Sequence, residues 1–76
     1  MSFVYSKLAG KIKEYYGTQG KFAEAIGLSE KSMSAKLNGR REWKQSEIMQ
    51  ACDLLAIDVN DVHLYFFTEK VQNIEA

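Results

Sequence analysis

The chain has one cysteine and one histidine in 76 residues. A single thiol cannot close an internal disulfide and suits a reducing compartment. One Cys and one His cannot supply a zinc site. No apolar run reaches the roughly eighteen residues a membrane span needs, so no membrane association is expected. The N-terminal MSFVYSKLAGK has no basic region followed by an apolar one, so no signal peptide is expected. There is no glycine-rich phosphate loop, no nucleophile elbow and no carboxylate pair beyond solvated faces. A body this small also has little room for a water-excluding pocket. These absences point away from an enzyme, and no cofactor or metal is expected.

Charge of either sign is also missing in sum, because ten basic residues meet ten acidic ones. Its distribution is uneven. Residues 1–45 hold nine Lys/Arg against four Asp/Glu, a net +5, whereas residues 46–76 hold one Lys against six Asp/Glu, a net −5. Such a molecule is two-sided, with a basic face and an acidic one. A hydrophobic content of 46% fits one globular domain. A domain of this size buries only about 60% of the surface its unfolded chain exposes.

The informative stretch is QGKFAEAIGLSEKSMSAKLNG, residues 19–39. It predicts two short helices, 19–26 and 29–38, joined by a tight turn. Phe22, Ala23 and Ile26 form the inner face of the first, and Met33 and Leu37 lie one turn apart on the second. Gly27 can take the positive φ that ends a helix. Leu28 can drop into the core, and Ser29 can cap the next helix. Ala23 is small enough for two crossing helices to approach. Helix, glycine turn, helix is the helix-turn-helix pattern.

Around it, a first helix is expected over 6–16, with Ser6 as its cap and Tyr5, Leu8, Ile12 and Tyr15 as its buried stripe. Gly17 stops it and Thr18 caps the next. After Gly39 comes a basic loop, Arg40-Arg41-Glu42-Trp43-Lys44, in which Trp43 reads as a packing residue. A fourth helix, 45–56, buries Ile48, Ala51, Cys52 and Leu55, which makes Cys52 a small hydrophobe. A fifth, 60–66, is capped by Asp58 or Asn60 and turns Val59, Val62, Tyr65 and Phe66 inward, with His63 at the surface. The cluster Tyr65-Phe66-Phe67 either closes the core or meets a second copy. The expected organisation is a domain over 1–66 and a tail over 67–76, in which Val71 and Ile74 are apolar.

The runs YSKLAGKI, YGTQGKFAEAIGLSEKSMSAKLNG, EWKQSEI and YFFT make the chain resemble the small phage and prophage regulators of the Cro-like, lambda-repressor-like family. The resemblance implies an all-α, compact five-helix domain in the bacterial cytoplasm, associated with the nucleoid. It implies a regulator that binds operator DNA as a two-fold dimer, the aromatic C-terminal end being the candidate dimer interface. The second motif helix would enter the major groove. Family positions that contact bases fall on Glu30, Lys31, Ser34 and Ala35. There lysine suits guanine, glutamate suits cytosine, serine serves either sense and alanine meets a thymine methyl. Glu30 has a structural alternative, serving a helix N-terminus. Gln19, Ser29, Lys36, Asn38, Arg40, Arg41 and Lys44 would contact phosphates, which set register without reading sequence. The common family pattern is apolar where Lys36 stands, so the buried position is expected to shift to Leu37.

Some small phage proteins that resemble this one act instead as antirepressors or modulators that pair with a phage repressor protein. A recognition helix with only Lys31 and Lys36 set against Glu30 suits that alternative, a protein-binding module, as does the aromatic end.

Overall fold

Four residues with positive φ punctuate the chain: Gly17 (82°), Gly27 (81°), Gly39 (76°) and Ala56 (54°). Between them lie the five helices of the computed structural model, which describes residues 3–69. These are α1 (Ser6–Tyr16), α2 (Gln19–Ile26), α3 (Glu30–Leu37), α4 (Gln45–Leu54) and, after a 3₁₀ turn at Val59–Asp61, α5 (Val62–Phe66). Among the described residues there is no strand, only an isolated antiparallel bridge between Phe3 and Glu69. None of the described helices is long and apolar enough to cross a membrane.

Local chemistry sets most of these boundaries. Gly17 donates its N–H to Lys13 O at 2.9 Å and ends α1. Thr18 Oγ1 then accepts the Lys21 N–H at 3.1 Å and opens α2, one of the free first-turn donors a helix must satisfy. At the end of α2, Leu28 N–H reaches Ala23 O at 2.9 Å and Gly27 N–H reaches Glu24 O at 3.2 Å. This pair of bonds needs a left-handed residue between, which Gly27 supplies. Ser29 Oγ accepts the Ser32 N–H at 3.1 Å and caps α3.

The structure moves one expected cap, decides between the two candidates for another, and shifts the start of α5. Ser6 is the first residue of α1 and not its cap; Tyr5 holds that position without a side-chain bond, its ring packed into the core. Asp58, not Asn60, caps the 3₁₀ turn, accepting the Asn60 N–H at 2.8 Å. The last helix is shorter than expected because that turn takes its first residues.

Helix α4 stops at Leu54 because Ile57 N–H bonds back to Cys52 O at 2.9 Å across a left-handed Ala56. The left-handed region costs an L-residue roughly 1–2 kcal/mol. Glycine there loses about 0.5–1 kcal/mol more backbone freedom on folding. The strain exceeds the entropy, so Ala56→Gly should stabilise the exposed turn by about 0.5–1 kcal/mol. Thermal unfolding should show a midpoint raised by a few degrees; a lowered one would mean Ala56 is unstrained.

The core is one cluster drawn from every helix, with Leu8, Ile12, Phe22, Met33, Leu55 and Phe66 its largest fully buried side chains. Ala23 is 1% exposed where α2 meets α3, which is the close approach its size permits. Two expected core residues are on the surface. Tyr15 is 47% exposed, and its neighbour Tyr16 packs on Phe22 at 5.3 Å instead. Val59 is 64% exposed because the 3₁₀ turn rotates it outward. Ile57, which carried no sequence signal, is buried. Of the expected tail, Phe67, Thr68 and Glu69 return to the N-terminal segment, where Val4 N–H donates to Thr68 O at 2.7 Å. Val71 and Ile74 lie outside the described residues.

Candidate functional site

One concave surface runs along α3 and another lies where the Phe3 and Glu69 segments meet. The first is a shallow groove lined by Gln19, Glu30, Lys31, Ser34, Ala35 and Arg40. It gathers all four residues expected to face bases and two of those expected on phosphate. Its charges are mixed: Lys31 and Arg40 stand beside the Glu30 carboxylate. Glu30 leans over the start of α2, so close that a Cβ on Gly20 would meet its Oε2 at 3.3 Å. That is the place where a helix favours negative charge, so the structural alternative for Glu30 has direct geometric support.

Of the remaining expected phosphate contacts, Ser29, Lys36, Asn38 and Arg41 have side chains bonded within the protein, and Lys44 is exposed. Ser29 spends its hydroxyl on capping α3. Asn38 Nδ2 donates to Ser34 O at 2.8 Å and Ser34 Oγ at 3.3 Å, folding back on its own helix. Arg41 Nη1 donates to Ser32 Oγ at 3.2 Å. The Lys44 side chain is exposed at the start of α4 while its N–H donates to Glu47 Oε1 at 2.9 Å. Lys36 is not on the surface at all. It is 3% exposed, and it is Leu37 that is half-buried. The expected shift of the buried position to Leu37 is therefore corrected. Lysine takes the inner position because its ammonium is paired there, with Glu47 Oε1 at 2.9 Å and Glu42 O at 2.9 Å. A buried charge is tolerable only with such partners.

Glu47 answers from α4. Burial disfavours its charge, but the Lys44 N–H and the Lys36 ammonium outweigh that and hold its carboxyl below the usual range.

The second surface is a cleft of about 180 Å³ lined by Phe3, Tyr5, Glu42, Trp43, Ile48, Phe66 and Phe67. Chain closure builds it. The bridge between the two ends sets Phe3 edge-on to Phe67 at 5.7 Å. Trp43 stands edge-on to buried Phe66 at 5.1 Å and tilted to Tyr5 at 6.4 Å. Burial, with the Glu42 charge in support, pushes the Tyr5 hydroxyl up. Phe67 remains 49% exposed. Trp43 Nε1 is buried with no acceptor among the described residues, a state that costs a donor roughly 1–3 kcal/mol. The sequence signals this surface only through the run Tyr65-Phe66-Phe67. Phe3 carries no signal of its own, because its partner lies 64 residues later in the chain.

The Cys52 thiol is pushed up by burial and by the Asp53 charge and sits in the core. Among the described residues no group of three or more His, Cys, Asp or Glu comes together.

A protein family described as being of unknown function, DUF739, matches residues 1–69. Among solved structures, that of the modulator of repression (MOR) of the temperate bacteriophage TP901-1 from Lactococcus lactis is similar. It is 49% identical, covers 95% of this chain and 97% of its own, and superposes with a TM-score of 0.78. No curated protein matches. The likeness supports a small phage protein with an all-α fold and corrects the rest of the family expectation. The similar chain is named for modulating repression, which overturns the reading of this one as an operator-binding, Cro-like regulator with duplex DNA as its main partner. The burial of Lys36 and the carboxylate of Glu30 agree with that correction.

Proposed function

We propose that this chain, which belongs to the DUF739 family, is a protein-binding modulator that pairs with a phage repressor. The observation that carries the reading is the aromatic cleft at the joined chain ends. A half-exposed ring, Phe67, at the mouth of a concave surface walled by further aromatics is the composition of a protein-binding hot spot. Phosphate backbones are instead held by basic side chains. The α2–α3 groove supports the same reading. Glu30, Lys31 and Arg40 mix both signs there, which suits a protein surface better than a uniformly negative duplex. The 49% identity to a modulator of repression, over nearly the whole of both chains, supports a partner that takes part in repression. In this role the protein lifts repression by occupying the repressor, with no chemical step.

The test uses the purified chain and the repressor of the phage that carries it. Titration calorimetry should show a defined complex, and adding the chain to a repressor–operator complex should release the operator. If the chain leaves that complex intact and itself shifts the operator fragment, the proposal fails.

A further inference from the structure

A lysine in the core of a small domain calls for a reason other than stability, since an apolar pair of similar volume serves stability as well or better. Lys36 meets the loop between α3 and α4, residues 38–44, which has neither helix nor strand to fix it. Its ammonium takes the carbonyl of Glu42 at 2.9 Å, and that carbonyl belongs to the peptide leading into Trp43. Its ion partner Glu47 takes the N–H of Lys44 at 2.9 Å, the residue immediately after Trp43. The ammonium itself lies 5.9 Å from the centre of the Trp43 ring, within reach of its negative face. One ion pair thus grips the backbone on both sides of Trp43 and steadies its ring. The indole has no hydrogen bond of its own to do this.

We infer that Lys36 and Glu47 are positioning residues for the aromatic cleft: together they hold Trp43 as its wall and so set the cleft's shape for a repressor. This rests on the docking role proposed for the cleft. Lys36 touches no partner. It links the helix expected to carry recognition to a surface on the other side of the loop. A site held only loosely by its supporting residues loses affinity even when every contacting side chain is present.

The chain has a single tryptophan, so its fluorescence reports Trp43 alone. In Lys36→Met, a side chain of similar length that keeps the packing, acrylamide quenching of Trp43 should rise by about twofold or more. Repressor affinity should fall by about tenfold. Glu47→Gln keeps an acceptor for the Lys44 N–H and weakens only the grip on Lys36. It should move both readouts the same way by less, and it decides the matter if Lys36→Met does not fold. Folded variants with quenching and affinity equal to those of the unaltered chain would overturn the inference. If the unaltered chain binds no repressor, the docking role fails, and the quenching series still decides whether Lys36 and Glu47 hold Trp43.

Discussion

Replacing Phe66 by alanine should remove a large part of the domain's stability. Phe66 is 1% exposed, lies in the five-residue helix α5 and meets the Trp43 ring edge-on. Truncating a buried phenylalanine removes its transfer energy and leaves a cavity, about 3–5 kcal/mol together. A domain of this length has roughly 4–11 kcal/mol of stability in all. The loss therefore takes a large part of the margin and should lower the thermal midpoint by more than about 15 °C. Circular dichroism across temperature checks it. A fall of only a few degrees would show that the ring is not packed between Trp43 and the core.

Phe67→Ala should do the reverse, sparing the fold and removing function. The ring is half-exposed, and its one described aromatic contact is with Phe3. The residue's part in ending α5 is its backbone N–H to His63 O at 3.1 Å, which alanine retains. Stability should therefore change by less than about 1 kcal/mol. If the cleft docks a repressor, a ring at its mouth is an anchor, and losing an anchor costs about 2 kcal/mol or more, roughly thirtyfold in affinity. Calorimetric titration of the repressor reads this directly. Unchanged affinity would move the docking surface to the α2–α3 groove, where Lys31 and Arg40 become the residues to replace.

Set side by side, the two neighbouring phenylalanines show what a sequence discloses and what it withholds. The run Tyr65-Phe66-Phe67 announces that rings must be covered, but which ring enters the core depends on the phase of α5, and the 3₁₀ turn before it sets that phase. The same ambiguity misplaced Tyr15 and Tyr16, adjacent and chemically alike; Phe22, on another helix, selects Tyr16. Where the deciding chemistry is local, the reading is accurate. Gly17, Thr18 and Gly27 bound α1 and α2 at the expected residues because each satisfies a backbone group within one turn. Where it is distant, the reading fails. Hydropathy ranks Leu37 above Lys36 for the buried position, and only Glu47, on the next helix, reverses the order. The cleft needs Phe3 and Phe67 together, and nothing within either end of the chain predicts their meeting.

Function failed for a related reason. Two helices and a glycine turn specify a shape, and that shape can present itself to a duplex or to another protein. The legible discriminators were the zero net charge, the carboxylate of Glu30 and the aromatic end, all of which pointed away from phosphate. The two helices and their turn do not themselves encode which partner they meet.

The bridge between Phe3 and Glu69 has a mechanical consequence. The two segments run antiparallel, so a load pulling Phe3 and Glu69 apart opens the pairing as a zipper opens, one bond at a time. The Val4–Thr68 hydrogen bond and the Phe3–Phe67 contact bear that load first. The surface proposed for docking thus shares its latch with this pairing, and a pull carried through either segment reaches the cleft.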